Sequence, residues 1–281
     1  MLHWDGSEPE DGVNSEFRSA CLELLRRDLT RYGAREAAPS DWPWNQKLLL
    51  HSMNISNSLR RGANPFGSRK RELGLDWPAE ALTMIGMRRL ESLQHCVETV
   101  LQENIPGDLV ECGVWRGGAS ILMRAVLEIY GSDDRVVWLA DSFQGVPAPD
   151  TVNFGMDRNL RLDRFRSIFE VSEQQVRANF ARYGLLDGQV RFLPGWFKDT
   201  LPDAPIEQIA VLRLDGDLYE STIQSLDALY PKLSTGGFCV IDDYGGIPVC
   251  RQAVTDYRAK HHITAPIVTI DQDGALWRKE D

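Results

Sequence analysis

The stretch DLVECGVWRGGASILMRAVLEIYG, residues 108–131, decides the fold. A short apolar run is followed by glycines and then by a helix-like segment, which predicts a buried β-strand, a glycine turn and an α-helix. The runs RVVWLAD, QVRFLPG, IAVLRLDGD and GGFCVIDD predict further strands, and helices are expected over 221–230 and 248–260. APIVTI and GALWRK are expected to form a closing hairpin. Strands that alternate with helices predict an α/β fold with a doubly wound, mostly parallel sheet.

Two helices are expected before this stretch. Residues 1–15 are polar and acidic, which is typical of a loose arm. The spacing of apolar residues predicts an amphipathic helix from Glu16 to Tyr32. A second helix is expected to begin at Pro78, because proline is favoured in the first turn of a helix, and to continue through VETVLQ.

The composition excludes several classes of protein. The chain has 281 residues, of which 43% are hydrophobic, and its formal net charge is −10. So acidic a chain is a poor candidate for binding nucleic acid or an anionic membrane. No apolar run approaches the roughly 20 residues that a membrane span needs. The five cysteines form no CxxC pair, so we expect reduced thiols and a cytosolic protein.

The glycine turn of the opening stretch predicts a cofactor site without a phosphate cradle. Glu111, Gly113, Gly117 and Gly118 follow the pattern GxxxGG, whereas a dinucleotide site requires GxGxxG. Glu111 would repel phosphates but would attract the amino group of a cofactor such as S-adenosylmethionine. The alternative is that the glycines serve only tight packing between the strand and the helix.

The second predicted strand ends in an acid, Asp141, about one βαβ unit further on. An acid at this place typically accepts hydrogen bonds from ribose hydroxyls. Alternatively, Asp141 is a helix cap or a turn residue. The glycine turn and Asp141 together favour a ligand that contains adenosine.

Acids also follow two later strands, in LRLDGDLYES and FCVIDDYGG. The carboxyl ends of parallel strands meet at one edge of a sheet, so Asp215, Asp242 and Asp243 are expected to lie close together. Three unpaired carboxylates repel one another strongly, so either a proton or a metal ion must offset their charge, and hard oxygen ligands suit Mg²⁺ or a similar cation. Asp217, two residues beyond Asp215, is expected on the same side of extended backbone, facing the substrate. The alternative is that each acid caps a helix or faces solvent.

Several motifs resemble one known family. DWPAEALTMIG, ECGVWRGGAS, ADSFQGVP, VRFLPGWFKDTLP, LRLDGDLYEST and YPKLSTGGFCVIDDYG are similar to motifs of the TylF/MycF family of macrocin-type O-methyltransferases, in the same order over about residues 76–260. The resemblance implies a class I methyltransferase (Rossmann-like) fold, with an N-terminal arm, helical lid and oligomerisation region at 1–75 and a catalytic domain at 76–281. It also implies S-adenosylmethionine, a divalent metal, a homodimer or higher homo-oligomer, and a sugar hydroxyl of a glycosylated natural product as acceptor.

The resemblance also implies roles for residues that match the family motifs. Asp217 matches a position proposed as general base. The metal ligands would be Asp215, Asp242 and Asp243. The cofactor would contact Thr83, Met84, Ile85, Glu111, Gly113, Ser120, Asp141, Ser142, Gly195 and Trp196.

One segment departs from the family pattern. Some members carry a histidine proposed as base after the second strand, but residues 151–173 contain none. Asp217 is therefore the better candidate for the base. The segment is instead rich in arginine, and we expect Arg158, Arg161, Arg164 and Arg166 to face solvent.

The site residues and the family resemblance together predict an O-methyltransferase that depends on S-adenosylmethionine and a divalent metal, and the resemblance implies a vicinal diol of a sugar as its acceptor. The acceptor is expected to be a small-molecule glycoside, with no nucleic acid or membrane as partner. The alternatives are a methyltransferase for catechols or phenols, which also hold Mg²⁺ against two oxygens, and a non-catalytic cofactor-binding scaffold.

Overall fold

The computed structural model describes residues 11–34, 47–48, 51–52, 54–55 and 69–280. The helices are α1 (Asp11–Thr30), α2 (Arg69–Leu73), α3 (Met87–Gln102), α4 (Gly118–Tyr130), α5 (Arg166–Phe169), α6 (Glu173–Arg182), α7 (Phe197–Thr200), α8 (Tyr219–Leu229) and α9 (Pro248–Lys260). The strands are β1 (Asp108–Cys112), β2 (Val137–Asp141), β3 (Val190–Pro194), β4 (Ile209–Leu214), β5 (Leu233–Ile241), β6 (Val268–Thr269) and β7 (Ala275–Arg278). Short 3₁₀ turns occupy Gly155–Asn159, Leu162–Phe165 and Tyr230–Lys232.

All seven strands belong to one sheet, whose order is β3-β2-β1-β4-β5-β7-β6. Strands β1 to β5 are parallel, while β7 runs antiparallel to both β5 and β6. This confirms the predicted α/β class, the mostly parallel sheet and the closing hairpin. The strand order reverses between β1 and β4, and in open α/β sheets ligands bind beyond the strand ends at such a point.

Helices cover both faces of the sheet. Successive strand residues point to opposite faces, so Leu109 and Val211 pack with α1, α3 and α4, while Val110 and Leu212 pack with α8 and α9. Both central strands are buried on both faces, which explains why their sequences read as nearly continuous apolar runs. Leu22 of α1 is fully buried in the first of these layers.

The start at Pro78 that was predicted for the second N-terminal helix is wrong. Helix α3 begins at Met87, nine residues after Pro78, and the backbone between them forms bends. The buried guanidinium of Arg71 donates to the carbonyl oxygens of Thr83 and Met84, at 3.2 and 2.9 Å. Those oxygens therefore accept side-chain bonds in place of helical ones, which a local helix propensity does not anticipate.

The N-terminal predictions are only partly covered by the described residues. Helix α1 begins at Asp11, inside the stretch predicted as a loose arm, and it ends at Thr30, close to the predicted end at Tyr32. Residues 1–10 lie outside the described part of the chain. The division at residue 75 and the role of 1–75 in oligomerisation stay predictions.

Two general predictions can be compared with the described residues. Within them, no helix combines the length and apolar character that a membrane span requires. All five cysteines are free thiols, and four of them are buried, as expected for cysteines that act as small hydrophobic residues.

Candidate active site

A cavity of about 580 Å³ opens at the carboxyl ends of β1, β2, β4 and β5. Most of the residues predicted to form the site line it. These are Thr83, Met84, Glu111, Gly113, Asp141, Ser142, Gly195, Trp196, Asp215, Asp217, Asp242 and Asp243. Ile85 and Ser120 are buried behind the cavity wall, so their contact with a cofactor stays a prediction.

The acids that follow β4 and β5 converge as predicted. The two strands are parallel neighbours, with Leu214 opposite Ile241, and the amide of Asp242 donates to the carbonyl oxygen of Leu214 at 2.9 Å. Asp215, Asp242 and Asp243 each place one carboxylate oxygen within 4.8 Å of the others. The alternative in which these acids cap helices or face solvent separately does not describe this cluster.

Two buried arginines, which the sequence reasoning missed, hold the cluster together. Arg213 of β4 donates to Glu111 at 2.6 Å, to Asp215 at 3.0 Å and to Asp242 at 2.8 Å. Arg89 of α3 donates to the second oxygen of Asp242 at 2.7 Å. Burial opposes the charge on both guanidinium groups, but the surrounding acids raise the pKa of each above its ordinary value.

The expectation of unpaired carboxylates is therefore wrong for Asp215 and Asp242. The two guanidinium groups neutralise only part of the acidity, because nine acidic and three basic side chains line the cavity. The acids are Asp76, Glu111, Asp141, Asp215, Asp217, Glu220, Asp242, Asp243 and Asp273, and the bases are Arg89, Lys198 and Arg213.

The carboxylates fit a divalent cation. Oδ2 of Asp243 is buried and has no hydrogen-bond partner among the described residues. A carboxylate oxygen has two lone pairs, so the oxygens of Asp242 can each bind an arginine and still accept a second ligand. The set contains only hard oxygen donors, which Mg²⁺ prefers over softer ligands. Burial and the charges of Asp217, Asp215 and Asp242 raise the pKa of Asp243 well above its usual range.

Asp217 reaches the cavity by a different path from the predicted one. Strand β4 ends at Leu214, and Asp217 has a φ of +58°, a left-handed conformation that is uncommon outside glycine. The expected extended backbone between Asp215 and Asp217 is therefore wrong, although both side chains line the cavity. Burial, reinforced by the charges of Asp215 and Asp242, raises the pKa of Asp217 to about 8.

Glu111 lies at the end of β1, where the cavity meets the buried sheet. Its side chain accepts hydrogen bonds from Arg213 and from the hydroxyl of Ser120, and only 1% of the residue is exposed. Burial raises the pKa of Glu111 to about 7. Its predicted contact with a cofactor amino group would use lone pairs that these two bonds leave free, and it stays a prediction.

The turn after β1 is shaped by Asp141 and Gly113. The two oxygens of Asp141 accept hydrogen bonds from the amides of Val114 and Phe143, at 2.8 and 2.7 Å, so this acid also braces the turn. Gly113 has a φ of +84°, and a Cβ there would lie 1.9 Å from the carbonyl oxygen of Asp215. Glycine is thus required for the ends of β1 and β4 to approach each other.

An aromatic wall, formed by Trp77, Phe165 and Phe169, also lines the cavity. Trp77 makes edge-to-face contacts with Phe165 and Phe169, at centroid distances of 5.6 and 5.2 Å. These two phenylalanines belong to the arginine-rich segment 150–170, whose four arginines named above are exposed, as predicted. The segment therefore presents aromatic rings to the cavity and charge to its outer side.

The raised pKa values predict how stability depends on pH. In an unfolded chain these carboxyl groups titrate near pH 4, whereas in the fold Asp215, Glu111 and Asp217 titrate near 6, 7 and 8. The folded protein then holds more protons, so this stabilisation is complete below about pH 4 and is lost as the pH rises through 6 to 8. In the presence of chelator we expect a lower melting temperature at pH 9 than at pH 6, measured by differential scanning calorimetry. An equal or higher value at pH 9 would contradict it.

The chain is similar in sequence to known O-methyltransferases. The family model described as Macrocin-O-methyltransferase (TylF) matches residues 18–279. The chain is 57% identical over 209 residues to demethyldecarbamoylnovobiocin O-methyltransferase of Streptomyces niveus, covering 74% of this chain and 80% of the relative. It is 59% identical over 208 residues to 8-demethyl-8-(2,3-dimethoxy-alpha-L-rhamnosyl)-tetracenomycin-C 4'-O-methyltransferase of Streptomyces olivaceus, covering 74% and 79%.

A solved structure shares the same architecture. The O-methyltransferase NovP superposes with a TM-score of 0.83 at 47% sequence identity, covering 94% of this chain and all of that one. The sheet and its flanking helices are therefore those of a class I methyltransferase.

Proposed function

Because the chain belongs to the macrocin O-methyltransferase family and is an S-adenosylmethionine-dependent O-methyltransferase, we propose that it methylates a sugar hydroxyl of a glycosylated natural product and depends on a divalent cation to do so. The observation that carries the proposal is the convergence of Asp215, Asp242 and Asp243 beside a cavity that also contains Asp217. A scaffold without catalysis is set aside, since the family consists of methyltransferases.

Each residue has a distinct part in this proposal. Glu111 attracts the cofactor amino group, and Asp141 accepts from its ribose at the turn after β1. Asp215, Asp242 and Asp243 would hold the cation, which would orient the adjacent oxygens of the acceptor and lower the pKa of the reacting hydroxyl. Asp217 accepts the hydroxyl proton while the acceptor oxygen forms its bond to the methyl carbon and the carbon–sulfur bond breaks.

The raised pKa of Asp217 supports its role as the base. An ordinary carboxylate, with a pKa near 4, is a weak base towards a sugar hydroxyl. Burial, the largest cause of the shift, raises the pKa of Asp217 towards the operating pH, where general base catalysis is most effective, and this cause does not depend on the acid charges that a cation would neutralise. Arg213 and Arg89 orient the acids around it without contributing ligands of their own.

The acceptor needs two adjacent oxygens, of which only one must be a free hydroxyl. The tetracenomycin relative is named as a 4'-O-methyltransferase of a 2,3-dimethoxyrhamnosyl compound, in which an ether oxygen adjoins the hydroxyl. An ether and a hydroxyl oxygen can both serve as hard ligands. A vicinal diol is therefore sufficient for the proposed site, but a methoxy neighbour would also fit.

The charge of the cavity favours a neutral glycoside over a nucleoside diphosphate sugar. The excess of acids would repel a diphosphate, and like-charge contacts cost several kcal/mol. The rings of Trp77, Phe165 and Phe169 instead offer an apolar surface for an aglycone. Methylation would then follow glycosyl transfer.

An acceptor panel tests the proposal. We expect demethyldecarbamoylnovobiocin, as a glycoside probe, to exceed a nucleoside diphosphate sugar in kcat/KM by about 100-fold or more, because of the charge repulsion. A simple catechol should also be poor, since it has no aglycone to contact the aromatic wall. Methyl transfer is measured by mass spectrometry with cofactor and Mg²⁺ present. Comparable kcat/KM for the nucleotide sugar would contradict the proposed acceptor class, and preference for the catechol would favour the alternative.

The proposed place of action of the enzyme is the cytosol. Its free thiols suit the reducing cytosol, where a small-molecule acceptor and S-adenosylmethionine are both available. A homo-oligomer formed through residues 1–75 remains part of the proposal.

A further inference from the structure

Helix α8, which begins directly after the catalytic loop 215–218, has no cap of its own. Its N-cap residue is Leu218, whose side chain cannot accept a hydrogen bond. The first amides of a helix have no partner within the helix and need an acceptor from elsewhere. Without such an acceptor, the start of α8 and the loop that leads into it would be poorly fixed.

The missing acceptor comes from a distant part of the chain. Asp157 is completely buried, and its two carboxylate oxygens accept hydrogen bonds from the amides of Tyr219 and Glu220, at 2.8 and 3.0 Å. Phe154, from the same segment, packs its ring against that of Tyr219 at a centroid distance of 6.3 Å. An acid at this end of a helix also interacts favourably with the helix dipole.

Asp157 belongs to the segment 150–170, part of which lines the cavity. Leu162, Phe165 and Phe169 of this segment contact the cavity. At its far end, the carbonyl oxygen of Ile168 accepts a hydrogen bond at 2.8 Å from the indole of Trp115, which lies in the turn after β1. The segment thus spans from the cofactor turn to the start of α8.

We propose that Asp157 is a positioning residue for Asp217, because it ties the segment 150–170 to the start of α8 and thereby fixes the catalytic loop 215–218. This inference rests on the proposed function, in which Asp217 is the base. Asp217 has a left-handed backbone, which persists only where its surroundings hold it in place. Asp157 holds the helix that begins two residues later, and it does not line the cavity itself.

The test compares Asp157→Ala and Asp157→Asn with the unchanged protein, using the best glycoside of the acceptor panel. Loss of both capping bonds is expected to lower kcat by about tenfold, and the asparagine variant, which keeps one acceptor oxygen, should lie between. The affinity for S-adenosylhomocysteine, measured by isothermal titration calorimetry, should change less than about twofold, since the helix cap does not reach the cofactor site. Amide hydrogen exchange over 215–222 should become faster in both variants.

Ser172→Ala is a matched control, because Ser172 caps α6 by accepting from the amide of Gln175 at 3.3 Å, away from the cavity. It removes a helix cap of similar kind and should leave kcat within about twofold. If Asp157→Ala lowers kcat no more than Ser172→Ala does, the proposal is overturned. If the alanine variant does not fold, the same comparison is made with Asp157→Asn.

A double-mutant cycle shows whether Asp157 acts through Asp217. When Asp217 is already asparagine, Asp157→Ala should cause little further loss of kcat. If the effect of Asp157→Ala were merely structural, its fold-loss in kcat would multiply with that of Asp217→Asn. Multiplied losses would overturn the positioning role. Asp217→Asn alone reports on the proposed base, so a failure of the proposed function is distinguished from a failure of this inference.

Discussion

Replacing Asp217 by asparagine is expected to lower kcat by about 10²–10⁴-fold, the range in which a positioned general base contributes. The side chain lies in the cavity beside the acids after β4 and β5, and no histidine occurs in residues 151–173 to replace it. Asparagine has nearly the same shape but cannot accept the hydroxyl proton. The measurement is steady-state methyl transfer with S-adenosylmethionine, acceptor and Mg²⁺ at saturation.

Stability distinguishes this loss from unfolding. The raised pKa of Asp217 means that its charge is unfavourable in the fold, so Asp217→Asn should melt at the same or a higher temperature in chelator at pH 9. Affinity for S-adenosylhomocysteine should be nearly unchanged. The exposed Asp203→Asn serves as control and should keep full activity. A kcat within tenfold of the unchanged protein would show that another group takes the proton.

Those parts of the fold that depend on local patterns could be predicted from the sequence. The strand–glycine–helix order around Gly113 and the apolar runs were sufficient for the sheet, because both signals lie within a few residues of one another. The meeting of Asp215 with Asp242 was also predictable, since parallel strands share one carboxyl edge.

The parts that depend on distant contacts could not be predicted. Arg89 meets Asp242 across 153 residues, and nothing near either residue indicates the pair. Arg213 carried a signal that was overlooked, because a charged residue inside a fully buried strand must have charged partners. Pro78 was misread because the side chain of Arg71 takes carbonyl oxygens that a helix would use.

The path of the chain to Asp217 shows a further limit of predicting side-chain positions from the sequence. Alternation along a strand holds only while the backbone is extended, and here the strand ends before the acids begin. Gly216 stands between the two aspartates, where the chain turns into the left-handed conformation of Asp217. This turn, and not the alternation of side chains along a strand, places both side chains in the cavity, so the sequence periodicity could not predict it.

Removing divalent cations is expected to abolish turnover. A bound metal stabilises developing charge by several kcal/mol, so enzyme treated with EDTA should retain less than about 1% of its kcat, and added Mg²⁺ should restore it. Two arginines cannot balance the acids of the cavity, and Oδ2 of Asp243 has no partner among the described residues. A cation would satisfy that oxygen and relieve the repulsion, so saturating Mg²⁺ should also raise the melting temperature.

Asp243→Asn isolates the metal site from the rest of the cavity. The variant removes one of three converging carboxylates, so it should need a higher Mg²⁺ concentration for half-maximal activity and should show a smaller thermal shift at a given concentration. Affinity for S-adenosylhomocysteine should be nearly unchanged, and Asp203→Asn again serves as the exposed control. Full turnover in EDTA would refute the metal requirement. Equal thermal shifts in Asp243→Asn and the unchanged protein would mean that Asp243 does not hold the cation.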